Sequence, residues 1–458
     1  MDQASGSGEA AAVTPAERPR SAPEQHWLAR LSFLFVGLAV AFVAVFAELK
    51  SLTMLAVGLV GAVVSLAAAY FFLSRRGVWR WLSLAVFVLT PIAVIAVFAL
   101  RNLLWVAVVA AAIWLLASMT ARLALVRDHP DWRMPEHPAE PPARHPYLIM
   151  NPKSGGGKVE KFDLKRKAEE LGAEVFLIDG SEPIDVAKVA REAVAQGADL
   201  LGVAGGDGTQ ALVAGIAAEH GIPFVVISAG TRNHFALDLG LNRENPSACL
   251  GALSDGVELR VDLGRINGQV FVNNASFGAY AEVVETPAYR DDKLNTTLNL
   301  LPDLLQGQRG VRLSARADDT EIRSPQALLV ANNPYGTGDI AGLSRRARLD
   351  AGVLGVIGVK VRNVQQAIDL LRGRRAVGVR VLRTKKIEIT ADAPQIPVGV
   401  DGEALSMSTP VVCTISPGAL RVWVPRDRPG VVPPKPPINW ARLWHLAGIH
   451  RKRAEVAA

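Results

Sequence analysis

The sequence predicts an α-helical membrane region, then an α/β domain, then a β-rich domain. Uncharged apolar runs are confined to residues 27–126, and strand-like and helix-like patterns alternate over residues 146–261. From residue 262 onwards, β-branched runs separated by turns replace that alternation, and a helix-like pattern at about Asn363–Leu371 interrupts them. The predicted strands are Gln269–Ala275, Ala327–Ala331, Val353–Val359, Val377–Leu382 and Lys386–Thr390. Alternating strands and helices favour a parallel sheet covered by helices, whereas short β-branched runs favour antiparallel strands. A chain of 458 residues accommodates two or three such domains.

Composition narrows the class of protein. The chain carries 50 Lys and Arg against 43 Asp and Glu, which gives a formal net charge of +7. Because no DNA- or RNA-binding motif accompanies this charge, we expect no nucleic-acid partner. Cys249 and Cys413 are too few for a disulfide framework or a metal cluster, which indicates buried thiols in a reducing compartment.

Four apolar runs predict four transmembrane helices, because a spanning helix needs about 20 such residues. The runs are Leu31–Ala47, Ser51–Leu73, Trp81–Leu100 and Leu103–Leu116, the last extending to about Ala121. Charges occur only at the breaks between these runs, so no transport pathway is indicated. Basic residues concentrate before the first run, between the second and third, and after the fourth. This distribution predicts a multi-pass protein of the cell (plasma) membrane with both termini in the cytoplasm.

The segments outside these regions are predicted from their composition. Residues 1–26 are typical of a disordered tail, residues 127–145 of an extended proline-rich linker, and residues 427–458 of a basic tail. Apolar residues in the basic tail recur at helical spacing, namely Trp440, Leu443, Trp444 and Ala447. That spacing fits a short interfacial helix on anionic lipid, and a solvated tail stays open as the alternative.

The most informative stretch is a glycine-rich loop between a predicted strand and a predicted helix. The apolar run Leu200–Ala204 is followed by Gly205-Gly206-Asp207-Gly208-Thr209, and a helical pattern begins at once. Such a loop brings bare backbone N–H groups, at the positive end of a helix, up to a phosphate. The carboxylate of Asp207 would repel phosphate, so it makes sense if it acts through Mg²⁺ or orients a water or a loop.

Three alternatives to a general phosphate loop can be weighed on spacing. A P-loop requires Gly-x-x-x-x-Gly-Lys-Ser/Thr, but the nearest stretch has Pro152 at the first glycine position and Val159 after Lys158. A dinucleotide fingerprint requires a ribose-binding acid about 20 residues further on, and Phe224–Ala229 contains none. A glycine-rich turn without a ligand stays open at this point.

Two further glycine-bearing loops have the same setting. Asn151–Lys158 follows the predicted strand Pro146–Met150, and Ser228–Phe235 follows the predicted strand Ile222–Ile227. In a parallel sheet the carboxyl ends of neighbouring strands form one edge, which is where ligands bind. We therefore expect the three loops to converge. The helices predicted between the strands include Glu160–Leu171 and Ile184–Gln196.

In order and spacing, these loops resemble the motifs of the diacylglycerol kinase catalytic-domain family, which also includes sphingosine kinases and bacterial lipid kinases. The motifs are Asn151-Pro152-Lys153-Ser154-Gly155, Gly205-Gly206-Asp207-Gly208-Thr209 and Gly230-Thr231-x-Asn233-x-Phe235-Ala236. The second occurs also in NAD kinases, so the order of all three carries the resemblance. It covers roughly Tyr147–Val424 and implies a NAD kinase/diacylglycerol kinase-like fold. The implied domains are an α/β domain at 146–261, with a returning strand at about 415–426, and a β-sandwich substrate domain at 262–414.

The resemblance implies that ATP, with its Mg²⁺, binds to the loops of the first domain. The implied nucleotide-binding residues are Asn151, Ser154, Gly155, Gly205, Gly206, Asp207, Gly208, Thr209, Gln210, Gly230, Thr231 and Asn233. Two departures from the family pattern concern residues near the site. His234 stands where many relatives carry an acid, and it is more readily interpreted as a core histidine. Ala351 stands where relatives carry an aspartate of an accessory Mg²⁺ site, which leaves only Asp350 as a metal ligand and favours absence of that metal.

Val398–Glu403 carries two carboxylates, Asp401 and Glu403, around Gly402. An Asp-Gly pair is a common hairpin corner, and from the residues alone that interpretation is the more frequent one. The resemblance instead implies that Asp401 is the general base for the substrate hydroxyl and that Glu403 supports the metal or the hydroxyl.

The sequence as a whole predicts a membrane-anchored lipid kinase that phosphorylates diacylglycerol or a similar lipid alcohol. Its partners would be ATP, a membrane lipid and an anionic membrane surface, and a homodimer stays open as a further possibility. A kinase for sphingoid bases or other long-chain alcohols is the alternative enzyme. A non-catalytic nucleotide- or lipid-binding membrane protein is the alternative from another class, supported by Ala351 and opposed by Asp207 and Asp401.

Overall fold

The computed structural model describes residues 23–46, 51–75, 77–100, 104–126, 133–178, 184–278, 281, 311–335, 345–346, 348–360, 379–430 and 438–448. Several predicted features lie outside these residues. They are a helix expected at Asn363–Leu371, most of the tail 1–26, the end of the basic tail from residue 449, and the loop residues Lys50, Arg76 and Arg101.

Four long apolar helices form the N-terminal region, as predicted. They are α1 (Pro23–Phe46), α2 (Ser51–Ser74), α3 (Val78–Leu100) and α4 (Leu104–Val126). By length and composition α1, α3 and α4 could each cross a membrane, and α2 contributes a shorter apolar stretch at Ala56–Phe72. Pro91 lies inside α3 without ending it, because neighbouring groups in apolar surroundings can satisfy the backbone that proline leaves unpaired.

The chain divides into two compact units, of which the first contains residues 1–48, 105–129 and 435–458. In this unit α1 and α4 pack with a C-terminal helix at Trp440–Leu446 around the small and apolar residues Ala29, Ala121, Leu443 and others. Arg30 Nε donates a 3.1 Å hydrogen bond to Ala447 O just after the end of the C-terminal helix. The helix that the spacing in the basic tail predicted is thus confirmed. The predicted contact of this helix with lipid stays a prediction.

The second unit contains residues 49–104 and 130–434, and its α/β part begins with five strands and five α-helices. The strands are β1 (His137–Pro138), β2 (Pro146–Met150), β3 (Glu174–Leu177), β4 (Leu200–Ala204) and β5 (Phe224–Ile227). The helices are α5 (Lys158–Lys161), α6 (Leu164–Glu170), α7 (Val186–Ala195), α8 (Asp207–Glu219) and α9 (His234–Asp238). Short 3₁₀ helices lie at Ser154–Gly156 and Pro246–Leu253.

Strands β3, β2, β4 and β5 pair in parallel in that order. Every residue of β4 and β5 is buried, as expected for a parallel strand covered on both faces. The prediction of one continuous helix at Glu160–Leu171 was wrong, because this stretch forms two helices, α5 and α6. Between them Asp163 adopts a left-handed conformation with φ of 52°, which interrupts the α-helical backbone.

Strands dominate the remainder of the second unit. They are β6 (Gly256–Ile266), β7 (Gln269–Phe271), β8 (Asn274–Gly278), β9 (Leu313–Ala317), β10 (Thr320–Arg323), β11 (Ala327–Ala331), β12 (Leu354–Val359), β13 (Val379–Thr384), β14 (Lys386–Ala391), β15 (Gln395–Val400), β16 (Glu403–Ser408) and β17 (Val411–Pro425). The single strand predicted at Gln269–Ala275 is two strands, because Val272 and Asn273 form a bend between β7 and β8.

Strand β17 joins the parallel and antiparallel parts of the unit. It pairs in parallel with β5 and antiparallel with β6 and β14, so one sheet contains the α/β strands and the antiparallel strands β14, β9 and β10. Strand β17 thus returns the chain to the parallel sheet, while the predicted domain bounds stay a prediction. It begins at Val411, and the boundary expected at residues 261 and 262 falls inside β6.

A second sheet has the order β13, β12, β11, β8, β15, β16 and is antiparallel throughout. Its inward residues, such as Phe277 and Val398, share one core with Phe271, Ile389 and Cys413. Alternation along the strands places these side chains on one face. The combination of an α/β part and a β-sandwich confirms the predicted fold class.

Candidate active site

The three glycine-bearing loops converge at the carboxyl ends of β2, β4 and β5. Gly155 has φ of +58°, and a Cβ at this position would overlap Ala229 O. A Cβ on Gly230 would lie 2.7 Å from Gly205 O. Since only residues without a side chain allow main chains to approach so closely, these glycines are what lets the loops meet. The predicted convergence is confirmed.

Two asparagines give the first and third loops their shape. Asn151 Oδ1 accepts a 3.0 Å hydrogen bond from Lys153 N. Asn233 is buried with φ of 53°, its Oδ1 accepts from Gly230 N at 2.8 Å, and its Nδ2 donates to Ser228 O at 3.0 Å. The amide of Asn233 is therefore engaged inside its own turn. Its predicted contact with a nucleotide stays a prediction, and the geometry favours a role in shaping the loop.

Asp207 links the second loop to the third. It is the first residue of α8, it is 9% exposed, and its two carboxylate oxygens accept from His234 N and Phe235 N at 3.3 Å each. A carboxylate that binds backbone N–H groups has no need of a metal to be accommodated here. Of the roles considered for Asp207, orientation of a loop is the one that this geometry supports.

Other predicted nucleotide-binding residues differ in their exposure. Gln210 is fully buried, its Nε2 donates to Gly205 O at 3.0 Å, and its Oε1 has no hydrogen-bond partner among the described residues. Gly206, Gly208, Thr209 and Ser154 are half-buried, and Thr231 is exposed. The buried side chain of Gln210 therefore supports the second loop through Gly205. The four half-buried residues and Thr231 lie at the accessible edge of the sheet.

A cleft of about 360 Å³ runs along α8 from Gly208 in its first turn to Glu219 at its end. The β15–β16 hairpin forms its far side with Asp401 and Glu403, and Thr209 and Leu212 of α8 also line it. A Cβ on Gly208 would overlap Glu403 Oε1, so this glutamate reaches the first turn of α8. The structure thus brings the glycine loop and both predicted catalytic carboxylates to one cleft.

The Asp401-Gly402 pair is indeed a hairpin corner. Val400 pairs with Glu403, and the two residues between them have φ of +48° and +88°, as a two-residue type I′ turn requires. The backbone N–H of Asp401 donates to Asn274 O at 3.0 Å, which fixes the turn against the β7–β8 bend. The hairpin interpretation and the catalytic one are therefore compatible.

The carboxylate of Asp401 is held by three consecutive backbone N–H groups. Oδ1 accepts from Asn273 N at 2.8 Å and Asn274 N at 3.0 Å, and Oδ2 accepts from Val272 N at 2.8 Å. An ionised carboxylate has about four acceptor positions, so Oδ2 keeps one for a proton. Burial raises the pKa of Asp401 to about 7, with the N–H bonds acting to lower it and the charge of Asp207 to raise it. Such a group can exchange a proton near neutral pH.

The carboxylate of Asp350 forms an ion pair with Arg348. Arg348 Nε and Nη2 donate to its two carboxylate oxygens at 2.7 Å each. Ala351 N donates to Asn333 Oδ1 at 2.7 Å. No group of three or more metal-ligating side chains occurs within the described residues. Asp350 as a metal ligand stays a prediction, and its pairing with Arg348 disfavours it.

A buried ion pair behind Asp401 was not predicted from the sequence. Arg346 is fully buried, Asp238 is 3% exposed, and Arg346 Nε lies 2.6 Å from Asp238 Oδ2. The two residues are 108 positions apart and belong to none of the motifs. A buried charge gives no signal in a sequence unless its partner is adjacent, so no pattern could have paired them.

Comparison with known proteins agrees with this geometry. The profile of the diacylglycerol kinase catalytic domain matches residues 145–266, and that of the YegS C-terminal NAD kinase beta sandwich-like domain matches residues 279–424. The chain is 30% identical over 294 residues to a Pseudomonas aeruginosa protein named probable lipid kinase YegS-like. The match covers 62% of this chain and 95% of that protein. The chain belongs to the diacylglycerol kinase catalytic-domain family.

Other members of this lipid kinase family show the extent of the likeness. The diacylglycerol kinase of Bacillus subtilis (strain 168) is 28% identical over 272 residues, with 56% of this chain and 88% of that protein covered. A solved structure from Bacillus anthracis str. Sterne superposes with a TM-score of 0.50 at 21% identity, covering 62% of this chain and 98% of that one. This likeness shows the shared fold. Both profile matches begin after α4 and so leave the apolar helices out.

Proposed function

We propose that the protein is a membrane-anchored kinase that transfers the γ-phosphate of ATP to the hydroxyl of diacylglycerol or a similar lipid alcohol. The observation that carries the proposal is Asp401. It lies in the cleft beside the first turn of α8, retains a free acceptor position on Oδ2, and has a pKa of about 7. Membership of a lipid kinase family supports the reaction type.

The glycine loops would hold the nucleotide. They present main-chain N–H groups next to the start of α8, and the close approach at Gly155 and Gly230 leaves no room for side chains between them. Anions bind well in such a setting, because unpaired N–H groups and the helix dipole both favour negative charge. Mg²⁺ bound with ATP would supply neutralisation of phosphate charge.

Asp401 would act as the general base. Its Oδ2 would accept the proton of the lipid hydroxyl as the hydroxyl oxygen forms a bond to the γ-phosphorus and the bond to the β,γ-bridging oxygen breaks. Glu403, which reaches the first turn of α8, would position the reacting hydroxyl or the metal. A positioned base contributes about 10²–10⁴-fold to such a transfer.

The apolar helices would anchor this catalytic unit at the cytoplasmic face of the membrane. Three of them are long and apolar enough to span a bilayer, and the basic residues of the chain flank the predicted cytoplasmic ends. The proposed division is an anchor at residues 27–126, a nucleotide domain at 146–261 with its returning strand, and a substrate domain at 262–414. A lipid alcohol in the same leaflet would then need no transfer through water.

The test uses the full-length protein in vesicles of mixed membrane lipids with labelled ATP. Wild-type protein is expected to label a lipid, whose identity the extracted product gives. The change Asp401→Asn is expected to reduce the rate by about 100-fold or more while the protein still folds and inserts in the membrane. Its thermal unfolding midpoint should fall, because the amide NH2 cannot accept the hydrogen bond from Val272 N.

The matched control is Asp392→Asn. Asp392 also accepts a backbone hydrogen bond, from Arg312 N at 2.9 Å, but it lies at an exposed turn away from the cleft. This variant is expected to retain activity. Full activity of Asp401→Asn on the labelled lipid would show that Asp401 is not the base.

A further inference from the structure

We propose that Arg346, paired with Asp238, is a positioning residue for Asp401. The proposal rests on the proposed kinase function. Arg346 holds the segment Val272–Asn274 from one side, and the N–H groups of that segment hold the carboxylate of Asp401 from the other. The ion pair would therefore set the position and the charge state of the base without touching the substrate.

Asp238, at the end of α9, fixes the guanidinium of Arg346. Its Oδ2 accepts from Arg346 Nε at 2.6 Å, and its Oδ1 accepts from the backbone N–H of Arg346 at 3.0 Å. Helix α9 directly follows the third glycine loop, and its first two N–H groups bind Asp207. The ion pair is thus connected to the nucleotide side of the cleft through one five-residue helix.

The remaining donors of Arg346 bind the β7–β8 bend and the end of β11. Nη1 donates to Val272 O at 2.8 Å and to Asn332 O at 2.6 Å, with a longer contact of 3.3 Å to Asn273 O. Nη2 donates to Asn273 Oδ1 at 2.8 Å. A planar guanidinium with five donors can satisfy this set at once, whereas a lysine ammonium has only three and no fixed fork.

The peptide groups of the bend are therefore bound on two sides. The carbonyl groups of Val272 and Asn273 accept from Arg346, and the N–H groups of Val272, Asn273 and Asn274 donate to Asp401. Rotation of either peptide would break bonds on both sides. Two of the three N–H groups that hold Asp401, those of Asn273 and Asn274, therefore belong to peptides that Arg346 binds. Asn332 N also donates to Asn273 O at 2.9 Å, so Arg346 and Asn332 together orient these groups and with them the Asp401 carboxylate.

The charge of Arg346 also acts on the base. Burial disfavours the charged form of Arg346, but the negative groups around it, with Asp238 the strongest, hold its pKa above the usual value, and Asp401 is among them. Attraction between two opposite charges is mutual, so Arg346 favours the ionised form of Asp401. Two other ionisable groups face Asp401. The charge of Asp207 opposes the ionisation of Asp401, and the ring of Tyr335 lies 5.7 Å from the Arg346 guanidinium. Glu403 lines the same cleft.

The first test compares Arg346→Met and Arg346→Lys in the vesicle assay over a range of pH. Arg346→Met is expected to lower kcat by about 10- to 100-fold, the size of effect that misplacement of a reacting group produces, with little change in KM for ATP. Its rate should also need a higher pH to reach half of the maximum, because the cation that favours ionised Asp401 is gone. Arg346→Lys should restore the pH dependence and only part of kcat.

The matched control is Arg421→Met. Arg421 pairs with the buried Glu258 at 2.7 Å, on strands β17 and β6 away from the bend. Its loss should lower stability without moving the pH dependence. The proposal is overturned if Arg346→Met and Arg421→Met lose activity to the same extent with an unchanged pH dependence. It is also overturned if Arg346→Met retains wild-type kcat.

A second measurement does not depend on activity. Removal of one partner leaves a buried charge, which can prevent folding, so the double change Arg346→Met with Asp238→Leu is made as well, because apolar replacement of a buried pair is often tolerated. Amide hydrogen exchange at Val272–Asn274 should be faster in whichever variant folds, while exchange in β4 stays as in wild type. Unchanged exchange at the bend overturns the proposal, whereas full activity of Asp401→Asn overturns the proposed base instead.

Discussion

The two sides of the proposed active site, called walls here, are held in place by different kinds of atoms. On the α/β side, three loops meet through main-chain atoms at Gly155, Gly205 and Gly230. On the β-sandwich side, Asp401 is held by a bend that is itself bound by the side chain of Arg346. At these glycines the first wall depends on the absence of side chains, with Asp207 and Asn233 adding hydrogen bonds to loop main chain. The second wall depends on side chains that lie more than 70 positions from the bend they bind.

This difference has a consequence for how each wall fails. Main-chain atoms in close contact cannot rearrange around an added Cβ, so a single substitution of a glycine in the first wall should cause a large loss of activity. A side-chain wall distributes its hydrogen bonds over several partners, so a substitution should shift the base rather than abolish the site. The following changes test that difference, beginning with the largest expected effect.

The change Gly155→Ala should break the main-chain wall. The added Cβ would overlap Ala229 O, and alanine disfavours φ of +58°. The loops would have to separate, and we expect a loss of about 100-fold or more in kcat/KM for ATP. The measurement is the vesicle assay with ATP varied.

Gly156→Ala is the matched control for this change. Its φ is +77°, but open space surrounds its Cβ position, so only conformational strain of about 1–3 kcal/mol applies. A smaller loss is expected. Equal losses in the two variants would mean that strain, not the contact between loops, explains the requirement for glycine.

The change Asp207→Ala should separate the second loop from the third. It leaves the N–H groups of His234 and Phe235 without their acceptor, at a cost of about 1–3 kcal/mol for each buried donor. We expect the rate of phosphate transfer to fall by about 10- to 100-fold, less than for Gly155→Ala, and the thermal unfolding midpoint to fall as well. If Asp207 acts only through bound Mg²⁺, excess Mg²⁺ should restore part of the rate. No such recovery is expected here.

The pH dependence of the wild-type enzyme tests the other wall. Asp401 must be ionised to accept a proton, and its pKa is raised to about 7. The rate should therefore rise with pH up to about 7, by roughly tenfold per pH unit below it, and level off above. Initial rates from pH 5.5 to 9 in constant-ionic-strength buffers measure this. A rate that is already maximal at pH 5.5 would mean that the buried aspartate is not the titrating base.

The smallest effect is expected where the two walls touch. A Cβ on Gly208 would overlap only Glu403 Oε1, the end of a flexible side chain that can rotate away. We expect Gly208→Ala to lower the rate a fewfold. In a protein that already carries Glu403→Ala, Gly208→Ala should cause no further loss of rate, because both changes affect the same contact. Additive losses in the double variant would place Gly208 in a separate role.

Much of the nucleotide wall was predictable from the sequence. Strand, glycine loop and helix recur three times, and the parallel-sheet rule alone places the three loops at one edge. The roles of single residues within the loops were less predictable. Asn233 and Asp207 carry polar groups suited to a ligand, yet the structure uses their side chains to bind neighbouring main chain. A motif shows which residue types are present and not which partners they find.

The bounds of two elements were also missed, one for a local reason and one because of distant pairing. The split of α5 from α6 at Asp163 is a single backbone conformation that apolar periodicity does not report. The extension of β17 back to Val411 follows from its pairing with β6 and β14. Hydrogen bonding between strands far apart in sequence decided where that strand begins.

The sequence by itself determined the apolar helices, the order of the three loops and the Asp401 hairpin, because each rests on neighbouring residues: hydrophobic length, glycine at a turn, and an Asp-Gly corner. Only the tertiary structure decided that Asp401 faces the first turn of α8, and that Arg346 and Asp238 lie behind it. Those relations join distant residues: Arg346 and Asp238 are 108 positions apart, and Asp401 is 129 positions from Val272, from whose N–H it accepts a hydrogen bond. Their physical basis is the satisfaction of buried charges and peptide groups, which depends on which surfaces the fold brings together.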